Sequence, residues 1–381
     1  MFGNLDTTVL QQIWWIIDSL VGSLFLFLIF VQGGQTLLGQ LGKTSMEKSL
    51  IINSLGRKWE LTFTTLVLFG GALFAAFPKF YATSFGGAYW VWILILFTFV
   101  IQAVSYEFRK KPGNFLGEKV YEIFLFINGS VGILLIGAAV GTFFTGSNFT
   151  LNEYNLVFWT NPLRGLEAAF SLFNLSLGLF LVFNARILGA MYLINNIDFS
   201  GYEAMEKRTR RAVLVNLLCA LPFLLYVLGS LLFMDGFGVD PKTGVVSMVS
   251  GKYLSNLLAM PLVLIFLLLG IVLVLWGVVT TALRGKNSGI WFGGLGTVLV
   301  GLTVFFIAGF NNTAFYPSKA DLQSSLTIYN ASSSHYTLTA MSYVALIIPL
   351  VLAYIVYVWR LMDSKKITES ELMGTQADEM Y

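Results

Sequence analysis

The sequence contains one cysteine, Cys219, and one histidine, His335, in 381 residues. A single thiol excludes a disulfide framework and a thiolate-held metal cluster. A single imidazole excludes a histidine-rich metal or haem site built by this chain alone. Charge is scarce as well: Asp, Glu, Lys and Arg make up 11% of the chain, against about 25% in a soluble domain. The 23 basic and 20 acidic residues leave a net charge of +3, too small a surplus to act as a nucleic-acid footprint. What is abundant is apolar, 56% of all residues. A disordered chain and a water-soluble enzyme with an ordinary surface are both excluded, and a polytopic membrane protein is the class that remains.

A helix needs about 20 mostly apolar residues to cross the hydrocarbon core. Nine runs meet that need: Ile13–Val31, Trp59–Phe77, Ala88–Tyr106, Tyr121–Phe144, Leu166–Tyr192, Ala212–Met234, Leu257–Leu283, Ile290–Phe310 and Ala340–Leu361. Each is apolar on all sides rather than alternating, which fits helices and not barrel strands. The expected fold class is therefore all-α, a single integral membrane domain over 1–381. The longest connections, near 234–257 and 310–340, are too short for a soluble domain. Asp6 is the only charge ahead of the first run, so that run reads as an anchor and not as a secretory signal. The polar tail from Asp363 to Tyr381 reads as frayed.

The cations set the expected orientation. Lys43, Lys48, Arg57 and Lys58 follow the first run, and Arg109, Lys110, Lys111 and Lys119 follow the third. Lys207, Arg208, Arg210 and Arg211 follow the fifth, Arg284 and Lys286 the seventh, and Arg360, Lys365 and Lys366 close the ninth. Seventeen cations thus share one side, while Lys79, Arg164, Lys242, Lys252 and Lys319 are the five on the other. The positive-inside rule places the N-terminus outside and the C-terminus in the cytoplasm.

Ionisable groups within the bilayer are costly, so each is a functional candidate. Asp18 lies in the first run, about one turn in from the outer side. Glu60 opens the second, Glu107 closes the third and Glu122 opens the fourth, all three toward the cytoplasmic ends. Carboxylates exchange protons readily, and partial burial brings them toward working pH. The four therefore read as candidates for a proton path entered from the cytoplasm. The competing reading is interfacial pairing of Glu60 and Glu107 with Arg57, Lys58 or Arg109, and a structural hydrogen bond for Asp18. Arg186 reads as snorkelling to the cytoplasmic interface, or else as pairing with a partner subunit. Gly70-Gly71-Ala72, Gly132, Gly137, Gly141, Gly293, Gly294 and Gly296 suit close helix packing. Trp14, Trp15, Trp90, Trp92, Trp159 and Trp359 read as interfacial anchors. His335 reads as a surface imidazole. Asn148-Phe149-Thr150 and Asn330-Ala331-Ser332 match a glycosylation pattern and are assigned no role.

Several stretches together resemble a known family. They are Trp14-Trp15, Asn53-Ser54 ahead of Trp59-Glu60, and the run from Gly70 to Ala82 that contains Gly-Gly-Ala-Leu-Phe-Ala-Ala-Phe-Pro. Tyr106-Glu107-Phe108-Arg109, Asn128-Gly129-Ser130, and Ser325-Leu326-Thr327-Ile328-Tyr329-Asn330-Ala331-Ser332-Ser333-Ser334 complete the set. This order resembles subunit II of the cytochrome bd-type quinol oxidases over nearly the whole chain. The resemblance implies a bacterial inner-membrane subunit paired with a homologously folded subunit I. The pair oxidises quinol and reduces oxygen to water, with protons drawn from the cytoplasm. Haem b and haem d are implied on subunit I, a structural quinone or lipid between helices fits the same picture, and a small accessory subunit is compatible with it. Glu60 stands where many members have an Asp assigned to the proton path. Glu107 and Arg109 match the acid-aromatic-Arg ending of the third span, and Glu122 resembles an acid upstream of the Gly-Ser pair. The sequence departs from the family at Gln32-Gly33-Gly34-Gln35, where many members have Asp-Gly-Phe-Asp. It departs again at Gln102, where a base is frequent, and at Asn330, where an Asp is frequent. Glutamine holds water but does not carry a proton as a carboxylate does.

Two readings from other classes remain at this point: a proton-coupled secondary transporter and a structural membrane scaffold. A transporter of that kind places its substrate near the midplane, often between inverted repeats. Here the acids gather toward one face and no repeat is evident. Co-isolation with a haem-bearing chain favours the oxidase reading, solute flux by the isolated chain the transporter, and neither result the scaffold.

Overall fold

The computed structural model describes residues 2–111 and 113–373. Among these residues nine helices are long and apolar enough to cross a membrane: Thr7–Thr36, Ser45–Ala76, Tyr89–Phe108, Glu118–Thr145, Leu172–Asn196, Glu203–Phe233, Pro261–Leu283, Gly289–Gly309 and His335–Met362. They are called the first to ninth spans below. The end carrying the seventeen cations is called the basic end.

The first span is longer than its apolar run. It breaks briefly at Ile29 and resumes as Phe30–Thr36, so Gln32 to Gln35 stay helical. Glycine makes this possible. A Cβ on Gly33 would collide with the Ala185 carbonyl, and one on Gly189 with the backbone of Gly34. The first and fifth spans therefore cross backbone against backbone, as small residues permit in membranes.

The second span also begins early. Thr44 and Glu47 form a capping box that starts the helix Ser45–Gly56, satisfying N-terminal amides that would otherwise lack partners. A turn at Arg57 and Lys58 separates this piece from Trp59–Ala76. The fourth span carries a π-helical turn at Asn128–Gly132, a local widening often found at functional positions. Gly129 there leaves no room for a Cβ against the Gln32 carbonyl.

The connections at the other end hold two antiparallel hairpins, Phe149–Leu151 with Val157–Trp159 and Gly236–Val239 with Val246–Val249. Residues 315–318 and 324–328 lie buried against that end. Below it Trp15, Phe77, Phe80, Phe143, Phe305 and Phe315 pack ring against ring. Trp14 and Trp15 belong to this core and do not sit at an interface. The Trp14 indole donates to Ser342 Oγ at 3.0 Å, and that of Trp15 to the Phe305 carbonyl at 3.2 Å.

The tail departs most from expectation. Residues 363–373 are docked, not frayed. Ile367 is fully buried and bridges to Ile197. Its N–H donates to the Asn196 carbonyl, and its own carbonyl accepts from the Asp198 N–H, both at 2.9 Å. Residues 374–381 of the expected tail lie outside the described residues.

Candidate functional site

At the basic end a cleft of about 550 Å³ opens between the first, second and fourth spans. Its wall includes Lys48, Glu122 and Lys119, and Gln35 and Thr36 form its floor. Glu122 is fixed at the mouth by two cations, Lys48 at 2.6 Å and Arg109 at 2.9 Å. Arg109 is itself fully buried and also reaches Glu118 at 2.8 Å. Charge-assisted bonds of this kind are short and geometrically defined. Beside them Lys110 donates to Ser49 Oγ at 2.7 Å. Burial, and then the neighbouring Arg109, lower its pKa, while Glu118 pulls it back up.

Below the mouth the chemistry turns neutral. Gln35 donates to Asn128 Oδ1 at 3.1 Å and to the Leu125 carbonyl at 3.2 Å. Its Oε1 accepts from Tyr106 at 3.0 Å and from the Gln102 amide. Gln32 donates to Gln102 Oε1 at 3.4 Å, and Asn128 to Thr98 Oγ1 at 3.4 Å. Gln32, Gln35, Gln102 and Asn128 are all buried. In such a setting a lost partner leaves an unsatisfied polar group, so the cluster holds its geometry strongly. The π-turn points Asn128 at Gln35, and the glycine crossing fixes the height of Gln35 in the bundle.

Arg186 flanks this floor, and its guanidinium extends toward the basic end. Its guanidinium donates to Asn216 Oδ1 at 2.7 Å, Thr36 Oγ1 at 3.1 Å and Gln40 Oε1 at 2.9 Å. All three acceptors are neutral.

Of the four acids, only Glu122 lies in the cleft. Glu60 and Glu107 are exposed, next to Trp59 and Tyr106, whose rings stack at 5.7 Å. Neither acid makes an ion pair among the described residues. The cations expected to pair with them are engaged elsewhere: Arg57 with Glu371, Lys58 with Asp363, and Arg109 with Glu118 and Glu122. Asp18 stands apart. The helix starts at Thr7, which puts Asp18 roughly 16 Å in, about three turns rather than one. It is 1% exposed, and neither carboxylate oxygen has a partner among the described residues. Along the helix it is roughly 21 Å from Gln32. His335 turns Nε2 toward the Leu5 carbonyl at 3.0 Å.

Sequence reasoning missed Lys48, Gln102 and Asn128 as members of one site. Gln32, Gln35 and Gln102, singled out separately as departures, prove to touch one another.

The family model described as cytochrome bd terminal oxidase subunit II matches residues 10–362. The chain is 29% identical to cytochrome bd-I ubiquinol oxidase subunit 2 of Escherichia coli (strain K12), over 97% of this chain and 98% of the relative. It is 28% identical to the probable cytochrome oxidase subunit 2 of Haemophilus influenzae, over 93% of this chain and 94% of the relative. The fold is similar to a chain in the structure of bd oxidase from Geobacillus thermodenitrificans. That match has a TM-score of 0.64 and 17% identity, and covers 93% of this chain and 98% of the other.

Proposed function

Because this chain belongs to the cytochrome bd terminal oxidase subunit II family, we propose that its cleft at the basic end is a proton inlet for the oxidase. The complex is a quinol:oxygen oxidoreductase of the inner membrane, and this chain is one of its multi-pass subunits. In this reading the basic end faces the cytoplasm, as the positive-inside rule requires. Glu122 admits protons at the mouth. Gln35, Gln102, Gln32 and Tyr106 hold a hydrogen-bonded lane beneath it. Glu60 and Glu107, exposed beside the Trp59–Tyr106 stack, face the partner subunit and pass protons to it.

The observation that carries this reading is the continuity from the Lys48–Glu122–Arg109 triad to the Gln35 floor. Three of the four positions at which the sequence departs from residues charged in many members, Gln32, Gln35 and Gln102, form one hydrogen-bonded amide cluster, while the fourth, Asn330, lies apart and bonds the Ser325 carbonyl. In this reading a neutral amide cluster stands where the resemblance implies charged residues. Buried ion pairs are often replaceable in this way, provided that no single charge is left alone. The lane then works by orienting water between amides rather than by titrating.

The haems supply the redox chemistry when bound, and this chain's residues do not fit them. Its one imidazole is occupied by the Leu5 carbonyl, which supports placing haem b and haem d on the haem-bearing partner, subunit I. The aromatic cavity near the first span is also too small for a structural quinone. That cavity, between Gly22, Phe69, Phe143 and Phe305, measures about 40 Å³, room for a few waters at most.

The test is oxygen consumption by membranes carrying Glu122→Gln, normalised to haem. A fall of about a hundredfold or more with an unchanged haem spectrum is expected for loss of a proton-transfer group. Unchanged turnover would favour the scaffold reading.

A further inference from the structure

The second span has a hinge, and the tail grips it. The hinge is Arg57–Lys58, between the helical pieces Ser45–Gly56 and Trp59–Ala76. Both residues are cations, and both are held by the chain's last described segment. Arg57 donates to the Met362 carbonyl at 3.0 Å and pairs with Glu371. Lys58, 2% exposed, pairs with Asp363 at 2.9 Å and lies 5.1 Å above the Trp359 ring. Asp363 Oδ1 also accepts from Asn196 at 3.1 Å and from Tyr192 at 3.4 Å. One carboxylate thus ties the second, fifth and ninth spans together at the basic end.

Of the two pieces that meet at this hinge, the first lines the inlet and the second is linked to its floor through one intermediate side chain. Lys48, on the first piece, holds Glu122 at the mouth. Trp59 starts the second piece and stacks on Tyr106, whose hydroxyl donates to Gln35 at the floor. The angle at Arg57–Lys58 therefore sets the mouth relative to the floor. We propose that Asp363 is a positioning residue for proton entry, the anchor of a C-terminal brace that fixes this hinge. The inference rests on the inlet reading above. Asp363 touches neither Glu122 nor Gln35; it acts through Lys58, Trp59 and Tyr106. A misplacement of the order of 1 Å, even from a change far from the chemistry, costs rate, up to about 100-fold.

The test uses the assembled complex in its own membranes, with Asp363→Asn, Asp363→Glu and Glu122→Gln compared at equal haem content. Asp363→Asn keeps the shape and removes the charge. It is expected to lower kcat about tenfold, as misplaced relay groups do, most steeply at alkaline pH, where protons are scarce. The KM for quinol and the haem spectrum should not change, and Asp363→Glu should restore at least half of the rate. The proposal is overturned if Asp363→Asn keeps the wild-type pH profile while Glu122→Gln is slow. It is also overturned if Asp363→Asn only reduces the amount of complex, with normal turnover per haem. If Glu122→Gln is itself as fast as wild type, the inlet reading fails and the brace fails with it.

Discussion

The Tyr106 hydroxyl donates to Gln35 Oε1 at 3.0 Å, with both side chains buried between the first and third spans. This bond joins the stacked Trp59–Tyr106 pair to the amide cluster at the cleft floor. Replacing Tyr106 with Phe keeps the stack and removes the donor. Gln35 Oε1 keeps the bond from Gln102, so the loss is that of one hydrogen bond, about 0.5–1.5 kcal/mol. The variant should assemble, lose several-fold in turnover and keep its haem spectrum. Wild-type turnover would show that the bond plays no part in proton delivery.

The amide cluster makes a second prediction, about charge. Gln35→Asp places a lone carboxylate beside Gln102, with no cation in contact. An unpaired buried charge costs about 3–5 kcal/mol, so the yield of assembled complex should fall sharply. Adding Gln102→Arg should recover most of that yield, because the two side chains already touch. The double-mutant comparison is read from haem content per membrane protein. Equal yields for the single and double variants would contradict the neutral-exchange account.

Glycine provides a contrast that tests the geometry. Gly33→Ala would drive a methyl into the Ala185 carbonyl, whereas Gly71 has open space around it. Gly33→Ala should lose the complex, and Gly71→Ala should match wild type in yield and turnover. A tolerated Gly33→Ala would mean that the first and fifth spans do not cross as described.

The docked tail predicts an alkaline titration. Burial, then the hydrogen bond to Glu369 at 2.8 Å, push the Tyr202 phenol from its usual 10.0 up to about 12. The protonated phenol is the form favoured in the folded chain. Its contribution to tail docking is complete below pH 10.0 and is lost as the pH rises through about 12. A phenolate absorbance titration of wild type minus Tyr202→Phe should show this late component. A difference midpoint near 10.0 would mean that the tail is not docked on Tyr202.

Much of the fold is legible in the sequence because apolar length is the dominant physical demand of a bilayer. All nine apolar runs correspond to spans. The early start of the second span escaped because Ser45–Gly56 mixes Glu47, Lys48, Ser49 and Asn53 with its apolar residues. The signal was there in Thr44-Ser45-Met46-Glu47, a readable capping box. The site was legible only in part. Carboxylates stand out in an apolar run, and Glu122 is found that way. Amides do not stand out, and nothing in the spacing of Gln32, Gln35, Gln102 and Asn128 says that three helices bring them together. The tail was misread for a related reason: its polarity suggests solvent, yet Asp363 is neutralised by a lysine 305 positions earlier. Glu60 and Glu107 lose their expected cations in a similar way: Arg57 and Lys58 are taken by Glu371 and Asp363, far away in sequence, and Arg109 by Glu118 and Glu122 at the start of the next span.

The most direct measurement follows one turnover of the fully reduced complex with oxygen, recording haem reoxidation and proton uptake from the medium together. The account predicts that Glu122→Gln delays proton uptake about a hundredfold or more while the haem content and spectrum stay as in wild type. Proton uptake in Glu122→Gln as fast as in wild type would contradict the account, because protons would then be entering by a route that bypasses the cleft.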